Sequence, residues 1–330
     1  MWRSVMDKSV YEKKLIDEVI ASIEKYGGKS CLSSIILTGS FGRNEPTYSL
    51  DSDGGLSLKS DVEIALVFPK LSKKKQVEEL IKNVSSEFIE DLNLMPINEN
   101  RVRKAYNFNF TLRVPKFKTI FTYDLFNGSR TIWGRDFIGE KVIALEDVDP
   151  YEAKRLVANR IGELTYLQNS LETEKKSYFR IQWKGKLILA IVSAWLICEG
   201  IYVSSYHGQY DKVKVHADEI ESLLGESFLA EYERVFAFLR ENGDIYEAPD
   251  KHLENYVRRM DSYFGGKKLD RPKVNSVSRI LKYMSKYMRT KKQYGIFRFE
   301  NHILQALITD YSCKDVRLNE DAEVWHRVLY

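Results

Sequence analysis

Two pairs of carboxylates on alternate positions, Asp51-x-Asp53 and Asp61-x-Glu63, follow a Gly39-Ser40 dipeptide within the stretch Ser34 to Phe68. The dipeptide ends the apolar run Ile35 to Leu37. A glycine-serine turn closing a buried strand points backbone N–H groups and a hydroxyl outward, a cradle for phosphate oxygens. Glycine also lets a ligand approach the backbone with no Cβ in the way. Alone, such a dipeptide is a plain turn, and acidic partners are what would make it a site. Asp61-x-Glu63 opens the run "VEIALVF", so the strand period of two puts both carboxylates on one face and Val62 and Ile64 on the other. Carboxylates held side by side repel unless cations neutralise them, which suits divalent metals. The plainer reading of the pair is the solvated edge of a half-buried strand. Asp51-x-Asp53 lies nearer the turn, but Leu50 precedes it, Gly54-Gly55 follows, and no apolar run carries it. It is assigned to a loop.

A third acid, Asp124, sits between Tyr123 and Leu125 in "KTIFTYDLFNGSR". The apolar run reads as a strand, where an unpaired acid is costly. If that strand pairs beside Val62–Phe68, Asp124 joins Asp61 and Glu63, and three carboxylates can hold two Mg²⁺ ions as two-metal phosphoryl transfer requires. Mn²⁺ is the other ion such a set would take. The plainer reading makes Asp124 a cap for the "NGSR" turn.

The elements that must position these groups are legible from periodicity. Residues from about Asp7 to Tyr26 form a lead-in helix with Val10, Leu15, Val19 and Ile23 on one face, stopped by Gly27-Gly28. Short strands at Ile35–Leu37 and Val62–Phe68 follow. The stretch "KKKQVEELIKNVSSEFIEDL" is an amphipathic helix turning Val77, Leu80, Ile81, Val84, Phe88 and Ile89 inward. "KAYNFNFTLRVP" and "FKTIFTYDLF" read as a strand hairpin around Pro115-Lys116. From Pro150 onward the pattern is helical, with a proline at the helix start and further helices around Leu223, Val235, Tyr256, Ile280 and Leu304. The expectation is an α+β protein: an N-terminal helix over residues 1–30, a mixed-sheet catalytic domain over 31–148 and an all-α domain over 149–330.

Composition narrows the function classes. The chain has 330 residues, 44% hydrophobic and 30% charged, with a formal net charge of +4. These are ordinary values for a soluble globular protein, and the charge is too mild to favour a nucleic-acid partner. Cys31, Cys198 and Cys313 have no CxxC spacing, which argues against disulfide scaffolds and cysteine-zinc sites and fits a reducing, cytoplasmic compartment. The five histidines form no zinc pattern. No signal core opens the chain, and "LILAIVSAWLIC" is shorter than a membrane span of roughly 20 residues, so it reads as a buried helix. The absence of GxxxxGK[ST] and GxGxxG counts against kinase, ATPase and oxidoreductase readings. Two weaker features lie near the C-terminus. Arg298 and His302 read as a surface pair, and "MSKYMRTKKQYGIFRF" as a solvated basic helix end.

The succession Gly39-Ser40, Asp61-x-Glu63 opening a strand, and Asp124 beyond resembles the polymerase β-like nucleotidyltransferase superfamily. "TGSFGRNE", "SDVE" and "YDLFNGSRTIWG" are similar to bacterial antibiotic-nucleotidyltransferase-like members that carry a helical C-terminal domain. The resemblance spans about residues 31 to 210. It departs in one respect: the family's usual gap from turn to acids ends near Asp51, so choosing Asp61 implies an inserted loop from Pro46 to Ser60, which costs little entropy. The resemblance implies Mg²⁺-dependent transfer of a nucleoside monophosphate, AMP by preference from ATP, to a hydroxyl of an unknown acceptor, with pyrophosphate released. Asp61, Glu63 and Asp124 would be the catalytic and metal-binding residues. Gly39, Ser40 and Arg43 would bind the triphosphate, with Lys186 (or Lys184), Ser205 and Tyr206 from the helical domain; the plainer reading of Arg43 is a surface pair with Glu45. The rival expectation is a non-catalytic nucleotide-binding or antitoxin-like member of the same fold. The sequence fixes neither the acceptor nor the oligomeric state.

Overall fold

The computed structural model describes residues 8–50, 56–88, 92–100, 102, 119–139, 142–170, 173–241, 243–267, 269 and 308. The protein is α+β and forms two compact units, Met1–Asp149 together with Ser204–Tyr206, and Pro150–Val203 together with His207–Tyr330.

The first unit opens with α1 (Lys8–Lys25), whose Leu15, Val19 and Ile23 are buried. Val10, expected on the same face, is 55% exposed. The central strand β1 (Ser34–Leu37) is buried along its length and is followed by the one-turn helix α2 (Gly39–Gly42). A small hairpin, β2 (Tyr48–Leu50) with β3 (Leu56–Leu58), comes next, then β4 (Val62–Phe68), α3 (Lys74–Ser85) and β5 (Leu92–Asn98). Helix α4 (Ile120–Asn127) and β6 (Arg130–Gly134) complete the unit. The sheet order is β5-β4-β1-β6, with β1 antiparallel to both β4 and β6 and β4 parallel to β5. Leu15, Val19 and Ile23 of α1, Ile35 and Leu37, Ile64 and Leu66, and Val77, Leu80 and Val84 of α3 form one core. Each fully buried aliphatic there contributes roughly 1.5–3 kcal/mol.

Four local expectations are corrected. Helix α3 ends at Ser85, and Leu92–Asn98 is a strand; Pro96 is tolerated because β5 is an edge strand. The inserted segment Pro46–Ser60 carries a hairpin. Within the expected strand "FKTIFTYDLF", Ile120–Phe126 is helical: Thr119 caps α4 by accepting from the Thr122 N–H at 3.1 Å, and Tyr123, Leu125 and Phe126 are buried from helical positions. The strand in this region is β6, in what reads as the following turn. "KAYNFNFTLRVP", Ile280, Leu304, Arg298, His302, Cys313 and "MSKYMRTKKQYGIFRF" lie outside the described residues, as do Asp51 and Asp53.

The second unit is helical. It comprises α5 (Tyr151–Ser170), α6 (Thr173–Cys198), α7 (Tyr206–Val215, whose first residue belongs to the first unit), α8 (Ala217–Leu224), α9 (Phe228–Arg240) and α10 (Asp250–Gly266). The run that looks short in sequence belongs to a longer apolar stretch. Among the described residues Tyr178–Cys198 is the one segment long and apolar enough to cross a membrane, and 72% of its most apolar window is buried inside the protein. Phe228 and Tyr256 meet edge to face at 4.9 Å, and Tyr210 stacks on Phe236 at 4.5 Å.

Candidate functional site

Strand β1 delivers the Gly39-Ser40 turn to one end of the sheet. Its last pair with β4 is Leu37 opposite Ile64. Thr38 prolongs that ladder, its N–H and hydroxyl both donating to the Glu63 carbonyl, at 2.8 and 3.3 Å. The chain then reverses at Gly39, which has a φ of +62°. A methyl group at Gly39 would come within 1.9 Å of Glu63 Oε2, so the positive φ favours glycine and any larger residue would also push the Glu63 carboxylate aside. Ser40 and Phe41 are buried. The Ser40 carbonyl accepts the Glu45 N–H at 2.8 Å, closing the turn onto the residues after it.

The hairpin explains the unusual spacing from turn to acids. Thr47 and Ser60 tie its base: the Thr47 N–H donates to Ser60 Oγ at 2.8 Å, and the Thr47 carbonyl accepts from Lys59 and Ser60. Tyr48 is buried, and its hydroxyl donates to Glu12 of α1 at 3.0 Å. The insertion is thus closed off immediately before Asp61. Asp61 is exposed, Glu63 half-buried, and Val62 and Ile64 between and beyond them are buried. This is the alternation the sequence predicts, although Asp61 falls one residue before the strand. β2 and β3 pair with each other in a separate sheet.

Asp124 is where the expected site fails to assemble. It lies half-buried on helix α4, and β4 has both edges occupied, by β1 and β5, leaving no place for a strand beside it. Its backbone carbonyl accepts the Gly128 N–H and the Ser129 hydroxyl at the end of the helix. Its charge, after burial itself, helps raise the Tyr123 hydroxyl above the usual phenol range. Among the described residues no three His, Cys, Asp or Glu side chains form a group able to hold a metal ion. Of the expected metal donors, Asp61 is exposed and Glu63 lies against the Gly39 backbone. They do not form a three-acid, two-metal cage.

The remaining predicted residues divide in two. Arg43 caps α2, and its Nε lies 3.4 Å from Glu45 Oε2, both side chains being largely buried and not a surface pair. Ser205 Oγ donates to Glu45 Oε1 at 2.6 Å, the Tyr206 N–H to Oε2 at 3.0 Å, and the Arg43 guanidinium stands 4.8 Å over the Tyr206 ring. Gly128 permits this docking, because a methyl there would meet Ser204 at 2.9 Å. Lys184 and Lys186 belong to the second unit. Lys184 is buried between Glu247 and Asp250, and Lys186 Nζ lies 4.4 Å over Trp183. Glu45 is the residue that sequence reasoning undervalued. Its signal was the Arg43-x-Glu45 spacing around Asn44, whose φ is +58°.

Comparison of the chain with protein-family models, with curated proteins and with solved structures found no match.

Proposed function

We propose that the first unit is a polymerase β-like nucleotidyltransferase core that binds a magnesium–nucleoside triphosphate, ATP by preference, and transfers its nucleoside monophosphate to an acceptor hydroxyl. The observation that supports this reading is the Glu63 carboxylate lying against the Gly39 backbone, one acid of the pair beside the glycine turn. Backbone N–H groups around Gly39 and Ser40 hold phosphate oxygens. Asp61 and Glu63 hold the cation, which when bound neutralises phosphate charge and makes the α-phosphorus easier to attack. The acceptor oxygen forms a bond to that phosphorus as the bond to the β-phosphate oxygen breaks. Pyrophosphate leaves, and the hydroxyl proton passes to water. Lys186 retains its proposed triphosphate contact only as an expectation of the resemblance.

One observation favours a second reading, a nucleotide-binding regulatory member of the fold: Asp124 stands outside the acidic pair. Thermal melts with each nucleoside triphosphate, in Mg²⁺ and in EDTA, followed by incubation of α-labelled triphosphate with metabolite pools, separate the two. The transferase reading expects an Mg²⁺-dependent rise in Tm and label on a small molecule. A rise with no transfer of label supports the binder, and no rise with any triphosphate contradicts both.

A further inference from the structure

Glu45 collects the groups that the sequence assigns to phosphate. Ser205 Oγ and the Tyr206 N–H donate to its two oxygens at 2.6 and 3.0 Å, and Arg43 Nε approaches Oε2 at 3.4 Å. The Arg43 and Glu45 side chains are only 10% and 8% exposed. All four residues belong to the first unit, with Arg43 and Glu45 directly after the GSFG turn. A carboxylate and a phosphate are both oxyanions that take charge-assisted hydrogen bonds from guanidinium, hydroxyl and backbone N–H donors. The protein's own carboxylate therefore holds Arg43, Ser205 and Tyr206 as an oxyanion ligand would.

We propose that Glu45 is an internal counter-ion: in the unliganded protein it balances the Arg43 charge and accepts from Ser205 and Tyr206, and a polyphosphate oxyanion displaces it. This rests on the nucleotide reading only for the identity of that anion. Two charges taken out of water are tolerable when paired, whereas a lone buried guanidinium is costly. Removing the Glu45 charge thus destabilises the free protein and strengthens the pull of Arg43 on an incoming anion. A Glu45 that merely positioned Arg43 and Tyr206 for the ligand would give the opposite sign, because its loss would weaken binding.

The test uses the full chain and calorimetric titration with inorganic tripolyphosphate, on wild type, Glu45→Gln and the double variant Arg43→Gln/Glu45→Gln. Glu45→Gln is expected to bind about tenfold more tightly than wild type while melting at a lower temperature, and the double variant to lose that gain. Equal or weaker binding by Glu45→Gln overturns the proposal, as does a gain that survives in the double variant. If Glu45→Gln does not fold, Glu45→Asp, which draws the carboxylate back by one methylene, should show a smaller gain, and no gain is equally fatal. Titration of wild type with ATP and Mg²⁺ separates the two claims. A gain for tripolyphosphate with no ATP binding leaves the counter-ion and removes the nucleotide reading. ATP binding with no gain does the reverse.

Discussion

The two units treat their charged residues in opposite ways. In the helical unit, charges are consumed internally: Lys184 is buried between Glu247 and Asp250, and Glu231 is buried against His252. In the sheet unit they collect at one end of β1, where Gly39 leaves room for Glu63, Asp61 stays exposed, and Arg43 and Glu45 flank the turn. A polar group absorbed into a packed pair reads as structure, whereas Asp61 remains open to solvent beside the turn's strand. The free cysteines fall on the structural side. Cys31 and Cys198 are both raised by burial, Cys198 to about 12, which leaves Cys198 almost wholly protonated and a poor nucleophile at neutral pH.

Glycine substitutions should break this contrast most sharply. Gly39→Ala places a methyl on Glu63 and forces alanine into the left-handed region, which alone costs about 1–2 kcal/mol. Thermal melts should show a clear drop in Tm, and triphosphate binding should be lost. Gly265→Ala lies near the end of α10 with open space around it, so it should leave binding intact and stabilise by about 0.5 kcal/mol. If the two variants melt alike, the turn is not under the constraint described.

Next in size is Lys184→Ala. It removes the cation from Glu247 and Asp250 and should cost roughly 2 kcal/mol, less than a fully buried pair because both carboxylates are about half exposed. Triphosphate affinity should stay unchanged. A large loss of affinity with little loss of stability would mean that Lys184 serves a ligand and not the helical packing.

The smallest effect concerns acid. Glu87 is held down to about 2 by hydrogen bonds from Lys25, Ser22 and Tyr26, joining α1 to the residues just after α3. Its folded pKa is depressed, so its contribution is complete above its ordinary value of 4.5 and fades as pH falls toward 2. Glu87→Gln should flatten the dependence of Tm on pH across that window. The pair is near the surface, so the change should be slight and should shrink further in high salt.

What the sequence revealed and what it hid have different physical causes. β1, β4, α1 and the inward face of α3 were legible because each buries a periodic apolar face, and periodicity survives in a single chain. The choice of Asp61-x-Glu63 on its strand face also came from periodicity. The assignment of Asp124 to a strand failed because aromatic and β-branched residues suit a buried two-turn helix as well as a strand. Here the Thr119 cap, a local signal, and the occupied edges of β4, a tertiary fact, decide the matter. β5 escaped notice because Pro96 speaks against a strand unless its place at the sheet edge is known. Glu45 looked like half of a surface pair, since nothing local shows that Ser205 and Tyr206, far along the chain, close over it.

The most direct test of the central claim is calorimetric titration of ATP into wild type and Asp61→Asn, each in Mg²⁺ and in EDTA. Asp61 is exposed, so the substitution should not disturb folding. The account predicts Mg²⁺-dependent binding to wild type, about tenfold or more weaker in Asp61→Asn, and no difference between the proteins in EDTA. Equal affinity of the two proteins in Mg²⁺ would contradict it.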